Sequence, residues 1–256
     1  MAEIKTQQYK DPRPPEAFAR FHERSRTRDP NAMYELVRGV TTPVALFIYR
    51  TLPVTVDNVP PSGPVILAAN HFSNFDHFLV GAWLRRKIRF MAKSQIFGNP
   101  VMDMVYNHGG VFPVRRGYGD EEAFETIHAI MRRGGCLMIY CEGGRSRSGE
   151  LGEPRPGVGR VALETGAPVV PVAIHGSSGI RRWRRGVFPK VTIAYGEPLS
   201  FDVVESPSRD QQREAAVEIF ARVREMYGEL ERDGRRSVIR RAREAEGSDA
   251  QRPSYS

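Results

Sequence analysis

Short apolar runs alternate with amphipathic segments along the middle of the chain. The runs at 65–69, 137–140 and 169–174 contain almost no polar residue, which is typical of strands buried on both faces of a sheet. Between them, apolar residues recur at steps of three and four, the spacing of one buried helix face. This alternation predicts the α/β class: a single domain with a mixed, mostly parallel central sheet covered by helices. The predicted strands are 54–59, 65–69, 88–91, 137–140, 169–174 and 191–195, and the predicted helices are 78–85, 120–133, 157–165 and a long one from 209.

The chain ends differ from this middle part. Residues 1–30 are polar and interrupted by prolines, so they predict a flexible arm with room for one short helix. Residues 31–52 predict two short amphipathic helices that meet at Pro43. The α/β domain is therefore expected over 53–234. The remaining residues, 235–256, are rich in arginine and poor in apolar side chains, which predicts a frayed tail.

Two segments have more than one interpretation. The apolar face of 31–52 either packs into the core or lies in a lipid surface, with Arg38 and Arg50 at the level of the headgroups. The sequence RRWRRG at 181–186 places arginines around a tryptophan, which suits a membrane interface, a solvated loop or nucleic acid.

Composition and charge limit the class of protein but do not identify its binding partner. The 256 residues carry 38 Lys and Arg against 30 Asp and Glu, a net charge of +8 that attracts nucleic acid, anionic lipid and phosphate-bearing substrates alike. The longest apolar stretch, 43–49, is far shorter than the roughly 20 residues of a spanning helix. The first ten residues lack the charged start and apolar centre of a signal peptide, so we expect a cytoplasmic protein without a transmembrane helix.

The two cysteines, Cys136 and Cys141, lie five residues apart in a segment that predicts a strand. Side chains alternate faces along a strand, so this odd separation places the two sulfur atoms on opposite faces of the sheet. We therefore expect two buried thiols that neither form a disulfide nor share a metal ion.

A dense group of polar residues follows the predicted strand 65–69. Loops beyond strand ends are where α/β proteins place their chemistry. Asp76 lies five residues after His71, so the chain can turn to let the carboxylate hold one ring nitrogen while the other takes a proton. The alternative is structural: Asp76 or Ser73 caps the following helix, and the histidine is a hydrogen-bonded core residue. The polar residues of this loop are Asn70, His71, Ser73, Asn74, Asp76 and His77.

Further blocks of sequence follow this loop in a set order. They are NHFSNFD at 70–76, MAKSQIF at 91–97, GGVFPVRRG at 109–117, CEGGRSRSGE at 141–150 and VVPVAIHG at 169–176. Together the blocks resemble the glycerolipid acyltransferase family. The first resembles its His-x4-Asp signature, and the fourth resembles its proline–glutamate–glycine–threonine–arginine–serine motif. The chain departs from that motif at two positions, with Cys141 in place of proline and Gly144 in place of threonine.

The resemblance implies which residues form the site. His71 and Asp76 take the catalytic positions. Basic residues are implied to grip a phosphate on the acceptor, because a planar guanidinium matches phosphate oxygens and lysine adds a mobile charge. Glu142 either hydrogen-bonds an acceptor hydroxyl or braces Arg145. The implied substrate- and phosphate-binding residues are Lys93, Arg115, Arg116, Glu142, Gly143, Arg145 and Ser146, with Asn70 and Ser73 in supporting positions.

The resemblance also implies the reaction, which is transfer of a fatty acyl group from a thioester to the free hydroxyl of lysophosphatidic acid. Direct transfer is expected, with His71 as general base and no acyl-enzyme. Ser73 and Ser146 are poor candidates for a nucleophile, because neither lies in a G-x-S-x-G elbow. No tightly bound cofactor is expected, and acyl-CoA or acyl carrier protein is the co-substrate. Glycerol-3-phosphate or another lipid stays open as the acceptor.

An acyltransferase domain favours a lipid surface as the partner of 31–52 and 181–186. We therefore expect the protein on the inner face of the cell membrane, held peripherally by anionic lipid, with no nucleic acid partner. A basic nucleic-acid-binding module is the alternative from another class, but the sequence has no aromatic RNA-binding signature or zinc spacing. A metal-dependent hydrolase is a further alternative. The sequence shows no recognised spacing of metal ligands, so no metal is expected. Such a hydrolase would use His71, Asp76, His77 and His108.

Overall fold

The computed structural model describes residues 11–115, 119–146 and 148–249. Its strands are β1 Leu52–Val54, β2 Val65–Ala69, β3 Ile88–Lys93, β4 Val111–Val114, β5 Cys136–Tyr140, β6 Val169–His175 and β7 Thr192–Tyr195. They form one sheet in the order β1-β7-β6-β2-β5-β3-β4. Every pair of neighbours is parallel except β6 and β7, which are antiparallel. The predicted α/β class with a mixed, mostly parallel sheet is confirmed.

Helices cover both faces of this sheet. They are α1 Ala19–Thr27, α2 Ala32–Pro43, α3 Asp76–Gly81, α4 Pro100–Gly109, α5 Glu121–Arg132, α6 Gly157–Thr165 and α7 Arg209–Asp249. The central strand β2 is buried along its whole length, because all its side chains are apolar and both faces are covered. One face packs against α5, α6 and α7 through residues such as Ile127, Val161 and Phe220. The other packs against α3 and the turn after α2, through residues such as Leu79 and Ala45.

The two cysteines lie in the two separate cores, as their odd separation predicts. Cys136 belongs to the core on the α3 side, and Cys141 to the core on the α7 side. Both are free and buried, and burial raises the pKa of the Cys136 thiol to about 12.

The close approach of α6 and α7 depends on Gly159. A Cβ atom at this position would lie 2.0 Å from the carbonyl oxygen of Gln212 in α7. We expect Gly159→Ala to lower the free energy of unfolding by about 1–3 kcal/mol through overpacking. The corresponding fall in Tm is roughly 2–4 °C per kcal/mol for a domain of this size.

Thermal unfolding checks this prediction, with Gly157→Ala as the control on the same helix. A Cβ atom at Gly157 meets no atom within 4 Å, so that variant is expected to unfold close to wild type. Equal Tm values for the two variants would contradict the close packing of α6 on α7.

The predicted flexible arm is wrong for the described residues 11–30. A 3-10 turn at Pro15–Phe18 leads into α1, and Phe18 and Phe21 are buried in a small core with Phe97. The rings of Phe21 and Phe97 meet edge to face, with centroids 4.7 Å apart. Few apolar residues suffice here because each is a large aromatic side chain that buries much surface.

Two helical segments meet at Pro43, as predicted. The chain passes from α2 through Pro43 into a π-helical turn at Val44–Ile48. Proline is tolerated because its missing N–H removes one hydrogen bond where the hydrogen-bonding pattern already changes. Among the helices of the described residues, none is long and apolar enough to cross a membrane. The segment still leaves large apolar side chains exposed, namely Leu36, Val40, Phe47 and Ile48.

The predicted frayed tail is wrong as far as the structure describes it. Gly234, with a φ of 73°, interrupts α7. Helical backbone resumes after it and ends at Asp249. Val238 is buried in the core on the α7 side, so this part of the tail is packed. The apolar residues packed after the glycine kink, Val238, Ile239 and Ala242, are too few to stand out among the arginines. Residues 250–256 lie outside the described residues.

Candidate active site

The polar loop 70–75 leaves β2 and leads into α3. Because β2 lies between β5 and β6 and runs parallel to both, the residues after these three strands meet at one edge of the sheet. Asn70 joins two of these ends. Its Nδ2 donates to the carbonyl oxygen of Ile174 at 3.0 Å, and its Oδ1 accepts the N–H of Ile174 at 2.7 Å. This pair of hydrogen bonds fixes the start of the loop on β6.

His71 and Asp76 form the hydrogen bond that their spacing predicts. Nδ1 of His71 lies 2.8 Å from Oδ2 of Asp76, whose side chain is fully buried. The same oxygen accepts the N–H groups of Phe72 and Ser73, each at 2.8 Å. Because a carboxylate only accepts, Nδ1 of the neutral imidazole carries the proton and Nε2 is left as an acceptor.

The capping interpretation does not fit Asp76. Both amides that its carboxylate accepts precede it in the chain, whereas a cap accepts amides that follow it. Ser73 supports the loop itself: its hydroxyl accepts the N–H of Phe75 at 3.2 Å, and its carbonyl accepts the N–H of Asp76 at 3.2 Å. These bonds close the turn that brings the carboxylate back to the imidazole.

Glu142 holds the backbone of this loop. Its Oε2 accepts the N–H of His71 at 2.9 Å, and its Oε1 accepts the N–H of Gly152 at 2.6 Å. Burial raises the pKa of Glu142, and the two amides oppose that shift. Ser146 adds a second link, since its N–H donates to the carbonyl oxygen of His71 at 2.9 Å. Both carboxylate oxygens thus accept backbone amides, which gives the alternative that Glu142 braces Arg145 no support.

Gly143 allows the chain to turn directly after Glu142. Its φ of 68° lies in the left-handed region, which glycine adopts without strain. A Cβ atom here would lie 3.0 Å from Cγ of Arg155, so the turn is also crowded. Both facts favour glycine at this position.

Tyr140, the last residue of β5, packs flat against His71. The two rings are stacked with centroids 3.7 Å apart and an interplanar angle of 12°. Burial raises the pKa of the Tyr140 hydroxyl well above its ordinary value. The stack holds the imidazole in the plane in which Nδ1 meets Asp76. Sequence reasoning missed this residue, although its place two before Glu142 at the end of a buried strand was visible.

A cavity of about 730 Å³ opens beside His71. Lys93, Gly144 and Arg145 share its wall with the imidazole. Arg145 is exposed and forms no ion pair with another described residue. The wall is mainly apolar elsewhere, with side chains from α2, β3 and α4. Its apolar residues are Val37, Phe78, Phe90, Met91, Ala92, Ile96, Met102, Val105 and Val111.

The structure brings together only some of the predicted basic residues. Lys93 and Arg145 line the cavity beside His71, whereas Arg115 does not. The backbone N–H of Arg115 donates to the Asp120 carboxylate at 2.6 Å, which holds the chain after β4. Arg116 lies outside the described residues. The geometry therefore supports a basic site of Lys93 and Arg145, and a contribution of Arg115 stays a prediction.

The arrangement gives the metal-hydrolase alternative no support. Within the described ranges, no group of three or more His, Cys, Asp or Glu side chains is placed to hold a metal ion. His108 lies on α4, with Nδ1 3.0 Å from the carbonyl oxygen of Met104, and does not line the cavity of His71.

A mostly parallel sheet thus places a hydrogen-bonded His-Asp pair beside a cavity with basic and apolar walls. Residues 53–175 match the family model described as Acyltransferase. The matched residues make up just under half of the chain, and over them the chain is similar to acyltransferases.

Three similar proteins carry related names. A probable 1-acyl-sn-glycerol-3-phosphate acyltransferase of Mycoplasma genitalium is 33% identical over 141 residues, which are 52% of this chain and 53% of that protein. A lyso-ornithine lipid O-acyltransferase of Pseudomonas aeruginosa is 30% identical over 122 residues, 47% of this chain and 46% of that protein. The chain thus spans about half the length of these curated relatives. The crystal structure of the 1-acyl-sn-glycerophosphate acyltransferase PlsC from Thermotoga maritima has the same fold, with a TM-score of 0.60 and 20% identity over 83% of this chain and 88% of that one.

Proposed function

We propose that the protein transfers a fatty acyl group from an acyl thioester to the free hydroxyl of lysophosphatidic acid, giving phosphatidic acid. The observation that carries this proposal is the His71–Asp76 pair beside a cavity that is basic near the imidazole and mainly apolar elsewhere. Names of relatives support the acceptor, because several are acyltransferases of 1-acyl-sn-glycerol-3-phosphate.

In the proposed reaction His71 is the general base. Its Nε2 takes the proton from the acceptor hydroxyl as that oxygen attacks the thioester carbonyl carbon, and a tetrahedral intermediate forms. The carbon–sulfur bond then breaks, the carbonyl forms again, and the leaving thiolate takes the proton from His71. Asp76 stays ionised and stabilises the imidazolium that exists between these steps. The route needs no acyl-enzyme.

Lys93 and Arg145 are the proposed binders of the acceptor phosphate. Both line the cavity that contains His71. The guanidinium of Arg145 suits two phosphate oxygens at once. Lys93 adds a positive charge that can serve the phosphate or the oxyanion of the tetrahedral intermediate.

The apolar part of the cavity is the proposed site of the acyl chain. Its volume of about 730 Å³ lies within the range of small-molecule sites, which is roughly 300–1,000 Å³. The donor in this proposal is acyl-CoA or acyl carrier protein, acting as co-substrate, and the reaction requires no tightly bound cofactor.

We further propose that the protein binds peripherally to anionic lipid on the inner face of the cell membrane. Leu36, Val40 and Phe47 are exposed on one side of α2 and its π-helical turn. Arg50 continues this surface, because its guanidinium donates to the carbonyl oxygen of Phe188 at 3.0 Å. The adjoining segment exposes Trp183, Val187 and Phe188 among basic residues. Apolar side chains surrounded by arginines suit the boundary between acyl chains and headgroups.

Replacing one exposed residue of this surface should weaken membrane binding. Phe47 is 80% exposed, and burying a phenylalanine contributes roughly 1.5–3 kcal/mol, so Phe47→Glu is expected to lower partitioning about tenfold or more. Co-sedimentation with vesicles of phosphatidylcholine and phosphatidylglycerol at low salt measures this. Val217→Glu is the matched control, since Val217 is 49% exposed on α7, which covers the opposite face of the sheet. Equal binding by both variants would count against the surface at α2.

A different lipid acceptor is the second candidate, and the lyso-ornithine lipid O-acyltransferase of P. aeruginosa is the observation that favours it. Glycerol-3-phosphate is a smaller acceptor with the same phosphate. The same His-Asp mechanism would serve each of them.

Release of free thiol from acyl-CoA tests the proposed function. The assay compares lysophosphatidic acid, glycerol-3-phosphate and a lyso-ornithine lipid as acceptors, with acyl carrier protein as the second donor. Turnover that depends on lysophosphatidic acid is the expected result. Activity with only one of the other acceptors would replace lysophosphatidic acid as the proposed acceptor. No turnover with any combination of donor and acceptor would overturn the proposed function.

A further inference from the structure

His77 brings a polar group into the part of the cavity next to the catalytic pair. It directly follows Asp76, and its ring lines the same cavity as His71. The ring packs against Phe78 and Phe90, with centroid distances of 4.0 and 5.6 Å. It forms no hydrogen bond with another described residue, although part of its surface is open to the cavity.

Two other polar residues of the same wall have partners within the protein. The hydroxyl of Tyr34 accepts the N–H of Ile88 at 3.2 Å, and the hydroxyl of Thr41 donates to the carbonyl oxygen of Val37 at 2.9 Å. Packing alone does not explain an imidazole at position 77, because phenylalanine would make the same ring contacts without a polar group to satisfy.

The ring of His77 is neutral at pH 7. Burial lowers the pKa of His77 to about 4; Asp76 opposes this shift and His71 adds to it. A neutral imidazole offers one donor and one acceptor. A hydroxyl group, which also donates once and accepts through its oxygen, can pair with either nitrogen.

We propose that His77 selects acyl chains that carry a hydroxyl group close to the thioester carbonyl. This inference rests on the proposed function, in which the carbonyl lies at His71 and the chain occupies the apolar cavity. An unsubstituted acyl chain bound beside His77 would exclude water from the imidazole without replacing the hydrogen bonds to that water. A site that offers a hydrogen bond to a substrate hydroxyl binds an analogue without the hydroxyl more weakly for this reason. The hydroxyl of a hydroxylated chain would give one ring nitrogen a hydrogen-bond partner.

The test compares 3-hydroxytetradecanoyl-CoA with tetradecanoyl-CoA as donors for the same acceptor. Wild type is expected to show a kcat/KM about tenfold higher for the hydroxylated donor. His77→Phe keeps the ring contacts and should bring the ratio to within about twofold of one. His77→Gln, which also donates and accepts, should keep part of the preference. Phe90→Leu changes the shape beside His77 without changing its hydrogen bonding, so its ratio should follow wild type.

Thermal stabilisation of the protein by each thioester, measured without acceptor, gives the same comparison independently of turnover. A wild-type ratio near or below one in both measurements would overturn the inference while leaving acyl transfer intact. A tenfold preference that His77→Phe does not change would also overturn it. If no thioester is consumed yet the hydroxylated one stabilises wild type more than His77→Phe, the proposed function fails and the selectivity stands.

Discussion

His71→Ala should lower kcat/KM for acyl transfer by about 10²–10⁴-fold, the usual contribution of a positioned general base. The fold should remain, because backbone hydrogen bonds of His71 hold the loop in addition to the contacts of its side chain. The N–H donates to Glu142 and the carbonyl accepts from Ser146, and alanine keeps both bonds. Thiol release from acyl-CoA measures the rate, and thermal unfolding measures the fold.

The matched control for this prediction is His108→Ala. His108 is a histidine of the same chain that does not line the cavity of His71, so its loss should leave turnover near wild type. If His71→Ala turned over substrate at a rate close to that of the control, His71 would not be the general base. A loss of activity accompanied by an equal loss of folded protein would instead assign His71 a structural role.

The centre of the sheet could be predicted from sequence because its strands are apolar on both faces. The segments 65–69, 137–140 and 169–174 were recognised within one residue of β2, β5 and β6 at each end. β4 was missed because it is short and contains Pro113, which an edge strand tolerates. Burial of the central strands is thus the feature that sequence patterns express most clearly.

The helix α4 was missed although its start carried a readable signal. Asn99 caps it, accepting the N–H groups of Val101 and Met102 at 3.1 Å, and Pro100 follows as the first helical residue. The omission mattered for function, because α4 forms part of the wall of the cavity beside His71. A missed element therefore hid the largest feature of the candidate site.

The candidate site was predictable where its residues are neighbours in sequence and not where they meet through the sheet. The His71–Asp76 hydrogen bond spans a single turn, so spacing sufficed to predict it. The stacking of Tyr140 on His71 and the bond from the His71 N–H to Glu142 depend on β2 lying beside β5. No local pattern reports which strands become neighbours.

Two substitutions of Asp76 distinguish the effect of its charge from the effect of its hydrogen bonds. In Asp76→Asn the amide oxygen can take the place of Oδ2 and accept the same three donors, from His71, Phe72 and Ser73. The negative charge that stabilises the imidazolium is lost, so we expect kcat/KM to fall on the order of 10³–10⁴-fold. The new NH2 group takes the buried place of Oδ1, which has no partner among the described residues, so Tm should fall as well, though the loop keeps its hydrogen bonds.

Asp76→Ala removes the hydrogen bonds as well as the charge. In this variant the N–H groups of Phe72 and Ser73, which are buried, lose the carboxylate as their acceptor. Each buried group left unsatisfied lowers the free energy of unfolding by about 1–3 kcal/mol. We therefore expect this variant to lose both activity and several degrees of Tm. Steady-state kinetics and thermal unfolding of the two variants distinguish the roles. Near wild-type turnover by Asp76→Asn would mean that Asp76 only shapes the loop, and His71 would then have to act without a charged partner.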